Sequence, residues 1–243
     1  HRTAIFRKLK GLENAISISL ADAPKAQGWS YTKGLDTMKP GADGIFRLHQ
    51  VYTAADPGYT GKVTVPTLWD RKKKTIVNNE SSEIIRMLNT EFNAITGDRT
   101  DYYPQALRAE IDAINERVYH HVNNGVYRCG FAKTQAAYEE AYDGLFATLD
   151  ELEERLSRQR YLVGNQITEA DWRLFPTLVR FDVAYFSLFK CNKKRIADYP
   201  NLSNYMRELY QVPGVAGTTT PRYYVINYYS IPKVNPTMIV PKG

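Results

Sequence analysis

The chain has 243 residues, 43% hydrophobic and 24% charged, which gives enough length to bury a core and excludes a low-complexity or disordered polymer. The net charge is +6, but the basic residues gather in two short runs, 71–74 and 190–195, each beside a turn. This is the pattern of solvated loops rather than the wide basic face that nucleic acid requires, so no nucleic-acid partner is expected.

No apolar run approaches the ~18–20 residues of a membrane span, and no membrane partner is expected. The two cysteines, Cys129 and Cys191, have no metal-ligand spacing around them and are too few for a disulfide framework. No metal site is expected, and a reducing cytoplasm is the default compartment.

In chain order, residues 15–20 alternate apolar and polar with period two and read as a strand. Residues 21–44, rich in Gly, Pro and Asp, read as a long loop. Residues 48–55 read as a short helix ending at Asp56-Pro57-Gly58. Residues 63–69 are β-rich, 70–74 make a turn, and 75–77 form the second strand of a hairpin. Ile84, Leu88, Phe92 and Ile95 then fall at helical spacing. From about residue 102 the pattern is helical almost throughout. One stripe, Leu107, Ile111, Ile114, Val118 and Val122, is expected to stop at Asn123-Asn124-Gly125. A second runs from Tyr138 to Leu156. Thr168-Glu-Ala-Asp171 reads as a capping box, and Leu202, Tyr205, Met206 and Leu209 mark a helix ended by Pro213-Gly214. A small α/β unit (1–97) and an all-helical unit (98–243) are the expected organisation.

Several local features carry chemistry. Val65-Pro66 is unusual inside a β-run, because Pro cannot donate to a ladder; it marks an edge, a bulge or a cis turn. Glu80-Ser81 stands where a strand ends and a helix begins. A helix N-terminus offers unsatisfied N–H groups and partial positive charge to a carboxylate, although Ser81 or Ser82 also reads as a simple N-cap. Cys129 reads as structural, since a nucleophilic thiolate needs a helix N-terminus or facing cations, and Cys191, flanked by Lys190 and Lys193, reads as incidental.

The strings Val63-Thr-Val-Pro-Thr-Leu-Trp-Asp70 and Ile76-Val-Asn-Asn-Glu-Ser-Ser-Glu-Ile-Ile85 resemble the glutathione-site core of glutathionyl-hydroquinone reductases, the Xi class of glutathione transferases. Val122-Asn-Asn-Gly-Val-Tyr-Arg-Cys-Gly-Phe131, the stretch from Arg180-Phe181 to Phe189-Lys-Cys-Asn192, and the segment from Tyr228-Tyr229 to Asn235-Pro-Thr-Met-Ile-Val-Pro-Lys-Gly243 are similar as well. The resemblance covers nearly the whole chain. It implies an α/β thioredoxin-like N-terminal domain, its first strand missing, followed by an all-α glutathione transferase C-terminal domain. It also implies a cis Pro66, and glutathione as co-substrate held by Trp29, Val65, Pro66, Glu80 and Ser81. Tyr127 and Tyr228 would hold the phenolic oxygens of a glutathionyl-hydroquinone, and the complete protein would be a homodimer. In the family a Cys-Pro-Trp-Ala segment directly precedes His-Arg-Thr. The opening His1-Arg2-Thr3 therefore implies that the nucleophilic cysteine lies upstream of residue 1, and that these residues alone are inactive. The alternative is a non-catalytic protein that binds glutathione conjugates or aromatic ligands.

Overall fold

The computed structural model describes residues 1–22, 28–31, 35, 40–41 and 44–242. Much of the 21–44 loop expected from the sequence therefore lies outside the described residues. The chain divides into two compact units, one spanning Phe6–Arg99 and the other joining His1–Ile5 to the chain from Thr100 onward.

In the Phe6–Arg99 unit, helix α1 (Arg2–Leu9) ends where Gly11 takes a positive φ of 62°, a conformation that costs glycine no Cβ clash. Leu12 lies just past the helix and is buried. Residues 15–20 do not form the expected strand. Ala15 and Ile16 turn back to bond Leu12 O, and Ile18 and Leu20 are exposed. Alternation makes a strand only when a partner supplies the ladder, and no neighbouring strand pairs with these residues among those described.

The strands form two antiparallel two-stranded sheets among the described residues. In the first, β1 (Ser30–Tyr31) pairs with β2 (Phe46–Arg47). In the second, β3 (Leu68–Asp70) pairs with β4 (Thr75–Asn78), with a bulge between Leu68 and Trp69. The hairpin turn is closed by Asp70 Oδ1, which accepts the Lys72 and Lys73 N–H groups at 2.8 and 2.9 Å. This leaves the 71–74 basic run on the surface, as expected.

Helix α2 (Leu48–Ala55) occupies the residues the sequence assigned to it. Leu48, Val51 and Tyr52 lie at i, i+3 and i+4 and bury one face against Tyr31, with Trp29, Phe46, Val63, Trp69 and Ile76 packed around them. After β4 comes α3 (Ser81–Thr90), with Ile84, Ile85 and Leu88 buried. The expected stripe does not continue to Ile95. The chain re-forms a separate short helix, α4 (Asn93–Thr96), ending at Gly97 in the left-handed region, and Ile95 faces solvent.

The second unit holds no strand among its described residues. It comprises α5 (Arg108–Val118), α6 (Gly125–Phe131), α7 (Gln135–Arg158), α8 (Glu169–Arg180), the short α9 (Phe186–Leu188), α10 (Pro200–Gln211) and α11 (Pro221–Tyr229), with brief 3-10 turns between some of them. Helices α6 and α10 pack on α7, and α5 packs on α8. Their inward faces bury Ile111, Ile114, Leu145, Leu149, Trp172, Phe175, Leu202 and Leu209. Helix starts are chemically explicit. Thr134 Oγ1 accepts the Ala137 N–H at the head of α7. Glu153, projecting from α7, accepts the Asn201 and Leu202 N–H groups at the head of α10, which places a carboxylate on a positive helix end. The Thr168–Asp171 capping box forms as the spacing predicts.

The expected stop at Asn123-Asn124-Gly125 does not occur. Helix α5 passes into a π turn (Tyr119–Asn123), where Asn124 N–H reaches Tyr119 O, and then runs on into α6. A second π turn (Phe181–Tyr185) extends α8. Asn-Gly stops a helix when it can turn into solvent. Here the Asn123 amide is buried on Thr177 Oγ1 at 2.7 Å, so the backbone stays helical.

Candidate functional site

Two groups of residues singled out by the sequence are each gathered by the fold, one in each compact unit.

In the Phe6–Arg99 unit the organiser is a side chain the sequence reading did not mark. The Tyr52 hydroxyl donates to Thr64 O at 2.9 Å and accepts from Thr64 N–H at 3.2 Å and from Asn79 Nδ2 at 3.0 Å. It thus clamps the residue before Val65 to the residue before Glu80. The Val65–Pro66 bond is cis, and Val65 is exposed. Glu80 is exposed and is itself the N-cap of α3, with its N–H bonded to Asn78 Oδ1 at 2.6 Å. Ser81 is the first helical residue, half-buried. Neither serine is the cap, which corrects the simple N-cap reading. Ser81 instead belongs to the first turn, where a helix presents N–H groups that lack intrahelical acceptors. Trp29 is half-buried on the Tyr31–Leu48–Val51–Tyr52 cluster, and its carbonyl accepts the Leu48 N–H at 3.0 Å; it anchors the start of α2.

In the helical unit, Tyr127 and Tyr228 are 101 residues apart in sequence, yet their hydroxyls meet at 2.6 Å. Tyr127 lies inside α6 rather than after a helix end, and Tyr228 lies in α11. A third hydroxyl, Tyr185 at the end of the second π turn, stands 2.7 Å from Tyr228 Oη. The three rings and Phe189 pack with centroids 5.2–6.4 Å apart, edge to face in three of the six pairings and tilted in the other three. Gly130 permits this packing, because a Cβ there would collide with the Phe189 ring. Tyr127 is 40% exposed and Tyr185 only 2%, so the chain of hydroxyls runs from a surface opening into the interior.

Burial pushes the Tyr185 and Tyr228 hydroxyls well above the usual phenol range, so both stay protonated and able to donate. Arg180 opposes that rise at both. Burial and the neighbouring Arg173 bring the Arg2 guanidinium down to about 10, against the opposing influence of Tyr127 and Tyr185. The Arg2 Nε donates to Arg173 O at 3.3 Å. With the Asn123 amide turned to satisfy its neighbours, its oxygen accepts from Arg2 Nη2 at 3.1 Å. Tyr185 and these arginines lie in stretches that resemble the family, but the sequence gave none of them a site role, since eighteen tyrosines give no basis for choosing one.

Cys129 and Cys191 are both buried and reduced, and the Cys191 thiol donates to Phe189 O at 3.8 Å. The influence of Cys129, followed by burial, drives the Cys191 thiol up, while the influence of Cys191 draws Cys129 down. The burial of Cys129 fits the structural role read from the sequence.

Comparison with known proteins places these features. The glutathione S-transferase N-terminal domain model matches residues 1–91, and the glutathione S-transferase C-terminal domain model matches residues 135–208. The chain is 56% identical over 245 residues to glutathionyl-hydroquinone reductase PcpF of Sphingobium chlorophenolicum, covering all of this chain and 78% of that protein. Among solved structures, glutathione-bound YqjG, a glutathione transferase homologue from Escherichia coli K-12, superposes with a TM-score of 0.94 at 48% identity, covering 100% of this chain and 80% of the other. The Xi glutathione transferase ECM4 of Saccharomyces cerevisiae in complex with glutathione superposes with a TM-score of 0.93 at 34% identity, covering 100% of this chain and 88% of the other.

Proposed function

We propose that this chain, which belongs to the glutathionyl-hydroquinone reductases of the Xi glutathione transferase class, carries the binding machinery for glutathione-dependent reduction of glutathionyl-hydroquinones. Its fold is that of the family, a thioredoxin-like unit and an all-α glutathione transferase unit, and its structural neighbours bind glutathione.

The observation that carries the reading is the Tyr52 clamp. It ties the segment that leads into Val65 to the segment that leads into the Glu80–Ser81 start of α3. Glutathione is a peptide with a free γ-glutamyl end. The Val65 N–H and C=O would pair with its cysteinyl backbone as an added strand does. The α3 N-terminus and the Ser81 hydroxyl would take its γ-glutamyl carboxylate, and Glu80 its ammonium. Pro66 shapes the approach, and Trp29 would pack on the tripeptide.

In the helical unit, the Tyr127 and Tyr228 hydroxyls lie 2.6 Å apart, too close for one to serve each end of a hydroquinone ring. They would converge on one phenolic oxygen and stabilise the charge that develops there.

The reaction itself needs a thiolate, which we assign, on the family resemblance, to the cysteine of a Cys-Pro-Trp-Ala segment ahead of His1. That thiolate would attack the glutathionyl sulfur. The sulfur–ring bond breaks, the ring carbon takes the electron pair and then a proton, and the hydroquinone leaves. A second glutathione thiolate then attacks the mixed disulfide, releasing oxidised glutathione and restoring the cysteine thiolate. A cytoplasmic, homodimeric enzyme completes the proposal; among the described residues no helix is long and apolar enough to cross a membrane.

A second reading, a binding protein for glutathione conjugates or aromatic ligands, is favoured by the burial of both cysteines within the 243 residues. A steady-state assay with a glutathionyl-hydroquinone separates the two. The 1–243 chain should be inactive. The chain preceded by Cys-Pro-Trp-Ala and its strand should turn over, and the cysteine-to-serine variant of that segment should not. Turnover by the 1–243 chain that disappears in Cys129→Ser would overturn the assignment and make Cys129 the nucleophile.

A further inference from the structure

The imidazole of His1 is engaged at both ring nitrogens. Arg180 Nη1 lies 2.9 Å from His1 Nδ1, and His1 Nε2 lies 3.0 Å from Thr218 Oγ1. An arginine can only donate, so Nδ1 accepts. The N–H of the neutral ring is then at Nε2 and donates to Thr218 Oγ1, whose own proton goes to Val215 O at 2.7 Å. Each donor and acceptor in this path has a single assignment. Neither ring nitrogen is left to exchange a proton with a ligand.

The clamp joins elements that also carry the tyrosines. Arg180 closes α8, and the π turn that follows it ends at Tyr185. Arg180 Nη1 also donates to Pro176 O at 2.7 Å, and the guanidinium carbon lies 3.8 Å over the Tyr224 ring, so its place is fixed from both α8 and α11. Thr218 ends the 3-10 turn (Ala216–Thr218) that leads into α11. The rings of Phe175 on α8 and Tyr224 on α11 lie 6.1 and 6.0 Å from the His1 ring. One helical turn after Tyr224, Tyr228 meets the hydroxyls of Tyr127 and Tyr185. The backbone is held as well: His1 O accepts the Ile5 N–H at 3.0 Å at the start of α1, and the next side chain, Arg2, donates to Arg173 O at 3.3 Å. All these contacts lie within the unit that joins His1–Ile5 to the chain from Thr100 onward. The point at which the chain enters His1 is thereby set against the elements that bring Tyr185 and Tyr228 together.

We propose that His1, held by Arg180 and Thr218, is a positioning residue for the thiolate of the preceding segment: it sets that thiolate against the Tyr127–Tyr228 hydroxyls and takes no part in proton transfer. The inference rests on the reading that the nucleophile belongs to a Cys-Pro-Trp-Ala segment ahead of His1, and it adds what holds that segment in register. Misplacing a reacting group by about 1 Å costs on the order of 100-fold in rate, so loss of the clamp is read in turnover.

The test uses the full-length protein with that segment present and a glutathionyl-hydroquinone as substrate. Iodoacetamide serves as a small probe of the upstream cysteine, because its attack needs no alignment with the tyrosines; peptide mass spectrometry reads alkylation at that cysteine alone. His1→Phe keeps a ring and removes both nitrogens. It should lower kcat about 10- to 100-fold while the KM for glutathione and the alkylation rate stay within about twofold. Thr218→Val should also lower kcat, and Thr218→Ser, which keeps the hydroxyl, should restore most of it. Because the two residues act through one contact, His1→Phe combined with Thr218→Val should be no slower than His1→Phe alone.

An unchanged kcat in His1→Phe overturns the proposal, as do additive losses in the double variant. A fall in alkylation that matches the fall in kcat also overturns it, because His1 would then act on the ionisation of the thiol and not on its place. A merely structural His1 would lower the melting temperature and leave the kcat of the folded protein as it was. If His1→Phe does not fold, Thr218→Val against Thr218→Ser decides it: equal kcat values overturn it. If the unaltered full-length protein shows no turnover that depends on the upstream cysteine, the reductase reading fails first and this inference falls with it. Turnover indifferent to His1 refutes the inference alone.

Discussion

At the scale of single residues, the glutathione-site reading depends on one hydroxyl that contacts none of the proposed ligand-binding residues. Tyr52 satisfies both backbone groups of Thr64 and the Asn79 amide. Tyr52→Phe would keep the ring in its apolar cluster and remove only those bonds. The expected cost is about 1–3 kcal/mol, the range for leaving buried partners unsatisfied, read by urea unfolding. It should also weaken glutathione binding, because the Val65 and Glu80 segments lose their tie. Ser81→Ala should weaken glutathione binding by roughly 0.5–1.5 kcal/mol, the range for one lost hydrogen bond. Calorimetric titration of both variants separates the roles; equal and unchanged affinities would remove both residues from the site. Pro66 and Ser81 could be picked out in the sequence because a proline in a β-run and a serine at a helix start are locally odd. Tyr52 could not, because its position on α2 is that of an ordinary core aromatic.

At the scale of elements, the helical unit is held in register by buried carboxylate caps. Asp171 accepts from Thr168 N–H and Oγ1, from Leu162 N–H and from the Tyr205 hydroxyl, at 2.6–3.0 Å. It therefore joins the start of α8 to the preceding loop and to α10. Thr168→Ala should cost about 1 kcal/mol, as for an ordinary N-cap. Asp171→Ala should cost more, roughly 3 kcal/mol or above, because three elements lose a shared acceptor in a buried place. Thermal unfolding of the two variants checks the ranking, and similar losses would show that Asp171 does no more than cap its own helix. The capping box was readable as a local four-residue pattern. The π turns were not. Each widens a helix by one residue without a compositional mark, and each is decided by what surrounds it, as the burial of Asn123 on Thr177 shows for the first. Those turns also set where Tyr127 and Tyr185 point, so the tyrosine chain depended on a feature absent from the one-dimensional pattern.

At the scale of the whole molecule, binding to the native state alone shifts the folding equilibrium by mass action. Glutathione at about 100 times its dissociation constant should stabilise the protein by about 2.7 kcal/mol. Tyr127→Phe should leave that increment intact, because the proposed glutathione contacts belong to the Phe6–Arg99 unit and Tyr127 to the other. Differential scanning calorimetry with and without glutathione reads both. Loss of the increment in Tyr127→Phe would show that the tyrosine takes part in holding glutathione itself.

What the sequence determined by itself was local and periodic. The residues of α2, the β3–β4 hairpin, the capping box of α8 and the apolar faces of α5, α7 and α10 follow from spacing and turn chemistry, which act over a few residues. The strings around Pro66 and Glu80 also pointed to the family to which the chain belongs. Tertiary structure decided whatever needed a partner distant in sequence. Residues 15–20 had the alternation of a strand but found no ladder among the described residues. Asn123-Asn124-Gly125 had the composition of a stop but found a buried partner in Thr177. Tyr185 and Tyr228, 43 residues apart in sequence, became hydrogen-bonded neighbours only when α8 and α11 packed. Periodicity specifies which face of an element is apolar; which polar groups meet once those faces are buried depends on the packing of whole elements, and that packing built the hydroxyl chain.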